Sequence, residues 1–278
     1  MNALRRLTYR SDLLAMTRFL GLTNVLRKCY YRWAVSPGEV LRANLGGIDV
    51  QFRASTPAEF RGVEGTLVAE QDFLQVLIST LRPGDIFFDV GSQIGQFAVP
   101  LAKVVRDEGQ VVAFEPEAQA YQRLLDHLEL NRLSNVRVFR QALGDQNAAG
   151  RLFVGGRSCP SLVLHLEDAE QQSASEAVEI VPGDWLRENE NLPVPRAVKI
   201  DVEGYEYAVL RGLQRTLAHP ACELLCLEIH PSYLPSPVTV EMIMEFVKAC
   251  GFTNLDAPLR WTQIHMVARK SASTHVAA

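Results

Sequence analysis

Two acidic residues and one histidine occupy positions from which they could move a proton. Asp201 and Glu203 stand at the end of one predicted strand, and His230 follows the next predicted strand along the chain. Carboxylates and imidazoles are common proton acceptors and donors in enzymes. Because ligands bind at the carboxyl ends of parallel strands, we expect Asp201 and His230 to be neighbours at the mouth of a crevice. The alternative for His230 is a hydrogen-bonded structural residue.

Lys199 shares one face of this strand with Asp201 and Glu203, since side chains alternate between the two faces of a sheet. An ion pair with the carboxylates would offset the cost of burying the lysine charge, so a structural role fits Lys199 as well as a chemical one. A divalent ion at Asp201, Glu228 and His230 stays an open alternative, but no tight ligand spacing supports it, so we assign no metal ligand.

A glycine-containing bend after the first predicted core strand is suited to an anionic group. Asp89 belongs to this strand, and Gly91 and Gly95 follow it where a helix is predicted to begin. Gly91 removes a Cβ that would block close approach, and the free N–H groups of a helix start favour a carboxylate. The alternative is that both glycines serve packing alone.

An acid at the end of the second core strand suits a ribose. Glu115 comes 24 residues after Gly91 and could accept hydrogen bonds from both ribose hydroxyls of a nucleoside. Its structural alternative is compensation of a helix dipole. The spacing from Gly91 to Gly95 lacks the tight pyrophosphate turn of dinucleotide sites. A nucleoside with a carboxylate, such as S-adenosylmethionine, fits better.

Alternating strands and helices must position these residues. Their order predicts a mostly parallel sheet with helices on both faces. Helices are predicted over residues 70–81, 94–105, 117–131, 205–217 and 240–250. Core strands are predicted over residues 86–90, 110–114, 136–143, 197–202, 223–229, 252–255 and 263–267.

The chain divides into four predicted parts. Residues 1–36 contain seven basic residues and one acid, and their apolar residues recur at helical spacing. This pattern is typical of an interfacial helix on anionic lipid and equally of a helical cap that packs on the main domain. Residues 37–80 predict a hairpin with a glycine turn and then a helix. The core covers 81–270 and is interrupted at about 147–196 by a substrate lid or a hairpin excursion, and 271–278 is predicted to be a disordered tail.

Composition excludes several classes of protein. The 278 residues are 47% hydrophobic and carry a net charge of −4, which argues against a disordered chain and against a broad surface for nucleic acid. No apolar run is long enough for a transmembrane helix, and the N-terminus does not resemble a signal peptide. The five cysteines form no CxxC pair, so we expect free thiols in a reducing, cytoplasmic compartment.

Several segments taken together resemble the FkbM-type S-adenosylmethionine-dependent methyltransferases. The similarity extends from about residue 70 to residue 269, and its combination of motifs is specific. It implies the class I methyltransferase fold, a Rossmann-like seven-stranded sheet whose last strand is antiparallel. It also implies O-methylation of sugars, polyketides or related natural products. The segments are DVGSQIG at 89–95, FEP at 114–116, QALGD at 141–145, KIDVEG at 199–204 and LEIH at 227–230.

The resemblance implies roles for individual residues. Those that would contact the cofactor are Asp89, Gly91 and Gly95 in the first motif, Glu115 at the ribose, Gln141 and Ala142 at the adenine, and Asp201 and Glu203 at the methionine end. The cofactor would supply the methyl group, so the protein chiefly aligns donor and acceptor. We expect Asp201, with His230, to take or orient the hydroxyl proton.

The expected partner is a small-molecule or carbohydrate hydroxyl, with no nucleic acid and with residues 1–36 as a candidate peripheral membrane contact. The sequence does not indicate an oligomeric state. Two other functions remain open. One is a nicotinamide-dependent oxidoreductase, which the glycine spacing disfavours. The other is a non-catalytic module that docks on membranes through the basic N-terminus.

Overall fold

A computed structural model describes residues 39–54, 71–153, 161–163, 175–260 and 262–271. The extension predicted for residues 1–36 lies outside these ranges, as do residues 272–278 and two parts of the interruption. The described strands are β1 (Glu39–Leu45), β2 (Ile48–Ala54), β3 (Ile86–Val90), β4 (Gln110–Phe114), β5 (Val136–Phe139), β6 (Ala142–Gly144), β7 (Ala148–Phe153), β8 (Ser161–Val163), β9 (Ser175–Pro182), β10 (Ala197–Ile200), β11 (Leu224–Ile229), β12 (Asn254–Asp256), β13 (Leu259–Arg260) and β14 (Gln263–Arg269).

The described helices pack on both sides of a central sheet. They are α1 (Gln71–Thr80), α2 (Ala98–Val105), α3 (Ala118–Leu130), α4 (Gly183–Asn189), α5 (Glu206–Gly212), α6 (Gln214–Ala218) and α7 (Val240–Ala249), and a short 3₁₀ helix covers Pro231–Tyr233. One apolar core joins α1, α2, α3 and the β1–β2 hairpin to the sheet. A second apolar core packs the four helices α4, α5, α6 and α7 against the opposite face of the sheet. Within the described ranges, no helix combines the length and apolarity needed to cross a membrane.

The central sheet has the order β12-β14-β11-β10-β3-β4-β5, with the short β13 paired to β14. Neighbouring strands are parallel from β11 through β10, β3 and β4 to β5. β14 is antiparallel to both of its neighbours, β11 and β12. This arrangement confirms the predicted Rossmann-like fold. Along the chain, β4 and β5 are added on one side of β3, and β10 and β11 on the other side. This change of side places a crevice between the carboxyl ends of β3 and β10.

The predicted hairpin with a glycine turn is also confirmed. β1 and β2 pair in an antiparallel register from Glu39 opposite Ala54 to Leu45 opposite Ile48. Gly46 and Gly47 have φ values of +59° and +91°, which a two-residue turn of this hand requires.

The single strand predicted over residues 136–143 is two strands in the structure, so only its first half belongs to the central sheet. β5 ends at Phe139, and β6 belongs to a separate four-stranded sheet of order β6-β9-β7-β8 within and next to the interruption. Gly144 in β6 lies so close to α5 that a Cβ on Gly212 would overlap the Gly144 carbonyl oxygen. The polar pair Arg140 and Gln141 separates the two strands, and packing between distant segments decides where the second one goes.

Two predicted helices also differ from those observed. The helix expected from residue 94 begins at Ala98, because Gln93 and Gly95 have φ values of +48° and +93° that a right-handed helix does not allow. The helix expected over 205–217 is divided into α5 and α6. The carboxylate of Asp184 accepts hydrogen bonds from the backbone N–H groups of Arg215 and Thr216 at 2.7 and 2.8 Å, so it caps a new helix start.

Candidate active site

The glycine bend lies directly against the end of β10. Gly91 has φ of +79°, and a Cβ at this position would overlap the carbonyl oxygen of Asp201. A Cβ on Gly95 would lie 2.6 Å from Cδ1 of Leu124 in α3. Packing against the backbone requires the glycine at residue 91, whereas the glycine at residue 95 is favoured by its φ of +93° and by the Leu124 side chain. For Gly91 the packing also brings the bend next to Asp201.

Backbone hydrogen bonds fix the shape of the bend. The N–H groups of Gly91 and Ser92 both donate to the carbonyl oxygen of Phe114, at 3.0 and 3.1 Å. The hydroxyl of Ser92 donates to the carbonyl oxygen of Asp89 at 2.7 Å. The bend is therefore held to the ends of both β3 and β4.

Glu115 joins this bend to the start of α3. One carboxylate oxygen accepts a hydrogen bond from the Gln93 N–H at 2.7 Å, and the other accepts one from the Glu117 N–H at 2.9 Å. Burial raises the pKa of Glu115 to about 7, because the charged form loses its hydration. Capping of α3 falls to Glu117, whose side chain accepts from Gln119 and Ala120. Glu115 thus faces the glycine bend.

Asp89 and Lys199 form the buried floor of the crevice. Asp89 is fully buried, and this burial raises its pKa to about 6 although Lys199 opposes the shift. The ammonium nitrogen of Lys199 lies 4.0 Å from Oδ1 of Asp89 and 3.3 Å from Oδ2 of Asp201. It also donates to the carbonyl oxygen of Gly91 at 3.3 Å. The structure therefore supports the ion-pair alternative for Lys199.

Asp201 and His230 are neighbours, as predicted. The imidazole of His230 is 2% exposed, and its Nε2 atom lies 3.9 Å from Oδ1 of Asp201 and 3.6 Å from Oε2 of Glu203. Its other nitrogen, Nδ1, lies 2.7 Å from Oε1 of Glu206. Burial alone would lower the pKa of His230, but the hydrogen bond to Glu206 and the nearby carboxylates raise it to about 9.

Glu203 reaches this cluster through a turn, and not through strand alternation as expected. β10 ends at Ile200, and Glu203 and Gly204 have φ values of +52° and +104°. A Cβ at Gly204 would lie 2.5 Å from the carbonyl oxygen of Tyr233, so only glycine fits there. A non-glycine residue held at positive φ is a backbone conformation that concentrates at functional sites.

The sequence did not indicate a role for Glu206. This residue begins α5 and is fully buried, and its Oε1 accepts from both the Gly204 N–H at 2.9 Å and His230 Nδ1. Its only sequence signal is an acid in the first turn of a predicted helix. His265 was likewise missed, and its Nε2 lies 3.3 Å from Oε1 of Glu228.

Gln141 and Ala142 follow β5 on the other side of Glu115. The Glu115 N–H donates to the carbonyl oxygen of Phe139, two residues before Gln141. Ala142 is buried at the start of β6, and the Gln141 amide donates to Glu179 in β9 at 3.2 Å. Their contact with an adenine ring stays a prediction.

Carboxylates outnumber cationic groups in the crevice. Among the described residues, the basic groups that contact these acids are Lys199, His230 and His265, and the acids are Asp89, Asp201, Glu203, Glu206 and Glu228. Opposite charges attract strongly where water is excluded, so this end of the crevice favours a cationic group.

The chain is similar to methyltransferases by sequence and by structure. Residues 89–253 match the methyltransferase FkbM domain. The hexuronic acid methyltransferase AglP of Haloferax volcanii is 27% identical over 197 residues, covering 71% of this chain and 77% of AglP. Methyltransferase 1 of Beauveria bassiana is 29% identical over 149 residues, which cover 47% of this chain and 59% of that protein. The solved precorrin-6y C5,15-methyltransferase of Geobacter metallireducens covers 74% of this chain and 91% of its own, with TM-score 0.44 and 14% identity.

Proposed function

We propose that this chain, which belongs to the FkbM family of S-adenosylmethionine-dependent methyltransferases, methylates a hydroxyl group of a carbohydrate. Family membership confirms the predicted methyl transfer and the predicted cofactor, and the nicotinamide-dependent oxidoreductase is not kept as an alternative. AglP, a relative that this chain matches over 77% of its length, is a hexuronic acid methyltransferase. That relative supports a sugar as the acceptor.

The cofactor would lie over the glycine bend. Glu115 faces this bend, and its carboxylate oxygens retain lone pairs with which to accept bonds from two ribose hydroxyls. Gln141 and Ala142 follow the strand beside Glu115 and would border the adenine. The methionine end and its sulfonium would lie toward Asp201 and Glu203, where the excess of carboxylates favours a positive charge.

The acceptor hydroxyl would lie beside Asp201 and His230. A neutral alcohol is a poor nucleophile, and a base that accepts its proton as the new carbon–oxygen bond forms lowers the barrier. The cofactor would supply the methyl group that the sugar oxygen takes up, Asp201 would accept the hydroxyl proton, and His230 would orient the hydroxyl. S-adenosylhomocysteine and the methyl ether are the products.

One observation carries the placement of donor and acceptor. Gly91 packs on the carbonyl oxygen of Asp201, so the bend that would hold the donor and the acid that would accept the proton belong to adjacent strand ends. Alignment of two reactants within a few ångströms is the main contribution that a protein makes to methyl transfer.

The experiment is methylation with cofactor labelled in its methyl group. The purified chain is incubated with glycans that contain uronic acids and with the same glycans after carboxyl reduction. We expect label in an O-methyl sugar after acid hydrolysis, and the two glycan pools tell whether the acid group is needed. Absence of labelled O-methyl sugar from both glycan pools would contradict the proposal.

We also propose that the enzyme is cytoplasmic and that residues 1–36, which lie outside the described residues, bring it to anionic membranes. Seven basic residues on an amphipathic pattern support this contact. The full chain should sediment together with phosphatidylglycerol vesicles at low salt and stay in the supernatant at high salt. Equal sedimentation of a chain that lacks residues 1–36 would contradict the role of this segment.

A further inference from the structure

The imidazole nitrogen Nε2 of His230 is a buried polar atom without a hydrogen-bond partner among the residues that the structure describes. The side chain is 2% exposed, and Nε2 points at carboxylate oxygens of Asp201 and Glu203 that are 3.9 and 3.6 Å away. These distances are too long for hydrogen bonds. A buried nitrogen that faces two carboxylates at such distances leaves room for a cation between them.

We propose that Asp201, Glu203 and His230 bind a divalent metal ion. One ligand atom from each residue lies within 4.8 Å of the other two. Two atoms that each lie about 2.1 Å from one ion are separated by roughly 3.0 Å at a right angle and by roughly 3.4 Å at a tetrahedral angle. His230 Nε2 lies 3.9 and 3.6 Å from the two carboxylate oxygens, so shifts of about 1 Å in the side chains would bring all three ligand atoms onto one ion.

The surroundings of His230 are those of a metal ligand. A ligating histidine usually donates its second ring N–H to a carboxylate, which fixes the ring and the nitrogen that faces the metal. Glu206 occupies that place, because its Oε1 lies 2.7 Å from His230 Nδ1. The Gly204 N–H donates to the same oxygen and holds the carboxylate in position.

Asp201 can serve the ion without losing its contact with Lys199. Its Oδ2 atom lies 3.3 Å from the lysine ammonium, and its Oδ1 atom is the one nearest to His230 Nε2. The two oxygens of this carboxylate thus face different partners. The nearby Oε1 of Glu228, 3.8 Å from His230 Nε2, adds negative charge beside the site.

The ligand set indicates the class of ion. Two carboxylates and one imidazole suit a first-row divalent cation such as Mn²⁺, and three protein ligands leave positions open for water or substrate. An ion there would lower the pKa of a bound hydroxyl. This consequence for the acceptor rests on the function proposed above, whereas binding of the ion rests on the geometry alone.

The test measures Mn²⁺ binding to the full chain after treatment with EDTA and removal of the chelator. Electron paramagnetic resonance reports free Mn²⁺, and we expect one ion bound per chain without cofactor or acceptor. Glu203→Gln and His230→Gln should each weaken binding by about 100-fold, since each removes one of three ligands. Glu129→Gln removes an exposed acid of α3 and should leave binding unchanged.

Two outcomes would overturn the proposal. One is binding that the ligand variants do not weaken relative to Glu129→Gln, and the other is no binding of Mn²⁺ by the unmodified chain. Pulsed resonance of Mn²⁺ on the unmodified chain adds a measurement that needs no variant. A nitrogen coupling is expected from the imidazole, and its absence from bound Mn²⁺ would exclude His230. No methyl transfer is measured, so failure here is distinct from failure of the proposed function.

Discussion

Glu115 and His230 are both buried at the carboxyl edge of the sheet, but their polar atoms are satisfied in different ways. Both carboxylate oxygens of Glu115 accept backbone N–H groups, from Gln93 and from Glu117. His230 is hydrogen-bonded to Glu206 on one side only, and its Nε2 faces Asp201 and Glu203 without a partner among the described residues. The cofactor side is therefore already held in shape by the backbone, whereas the acceptor side has unused capacity for a ligand.

This difference has an energetic meaning. A buried polar atom without a partner costs about 1–3 kcal/mol, so the cluster around His230 reduces the free energy of unfolding unless something binds there. The carboxylate of Glu115 does not carry that cost. We therefore expect changes near His230 to affect turnover most and changes near the bend to affect stability and cofactor affinity.

The largest expected effect is on turnover in Asp201→Asn. The amide cannot accept the hydroxyl proton, so kcat should fall by roughly 100-fold or more. Cofactor affinity should fall much less than kcat, because the isosteric side chain keeps the volume of the crevice and Glu203, Glu206 and Glu228 keep its excess of negative charge. Steady-state kinetics and calorimetric titration with S-adenosylmethionine separate the two quantities. An undiminished rate would rule out Asp201 as the base.

The next effect is on stability in Gly91→Ala. The new Cβ overlaps the Asp201 carbonyl oxygen and the backbone is held at φ +79°, so the free energy of unfolding should fall by about 3 kcal/mol. Gly84→Ala is the matched control, since its φ is +88° but no atom lies within 4 Å of the added Cβ. It should lose only about 1 kcal/mol.

Urea unfolding of the two alanine variants provides the comparison. Equal losses in Gly91→Ala and Gly84→Ala would mean that backbone strain alone, and not the contact between the bend and β10, requires glycine at residue 91.

A smaller effect is expected on cofactor affinity in Glu115→Gln. The amide can still accept on one atom, but its NH₂ group would oppose one of the two backbone donors, from Gln93 or Glu117. The affinity for S-adenosylmethionine should fall by about 10-fold, the equivalent of one such hydrogen bond. Calorimetry measures it, with Glu129→Gln as the control, and an unchanged affinity would place the ribose elsewhere.

The last prediction concerns pH. Burial raises the pKa of Glu115 from 4.5 to about 7, so the folded state binds this proton more tightly than the unfolded state does. Its contribution to stability is present below pH 4.5 and is lost as the pH rises through about 7. Between these values the free energy of unfolding should decline more steeply in the unmodified protein than in Glu115→Gln. Parallel curves from urea unfolding would contradict the raised pKa.

Local patterns were enough to predict the core strands and the bend. The apolar runs over 86–90 and 110–114 became β3 and β4 with the predicted bounds, because short apolar segments between helices have no other place to bury their side chains. The neighbourhood of Asp201 and His230 followed from the same rule, since both come after parallel strands. Such inferences need only sequence order and the geometry of a sheet.

The errors arose where distant segments decide the outcome. β6 pairs with β9, almost forty residues later, and no local signal marks that partner. The role of Glu206 depends on a helix that folds back beside His230. The positive φ of Glu203 similarly depends on the turn that packs Gly204 against Tyr233.

The amino-acid sequence by itself determined the class of fold, the family and the strand ends that carry functional side chains, because hydrophobic periodicity and short motifs are properties of neighbouring residues. Only the tertiary structure decided that Glu206 holds His230, that Lys199 lies beside Asp89, and that Gly91 is required by the backbone that follows β10. Each of these contacts joins residues far apart in the chain. Their free energy depends on distances and burial that exist only after the sheet has formed.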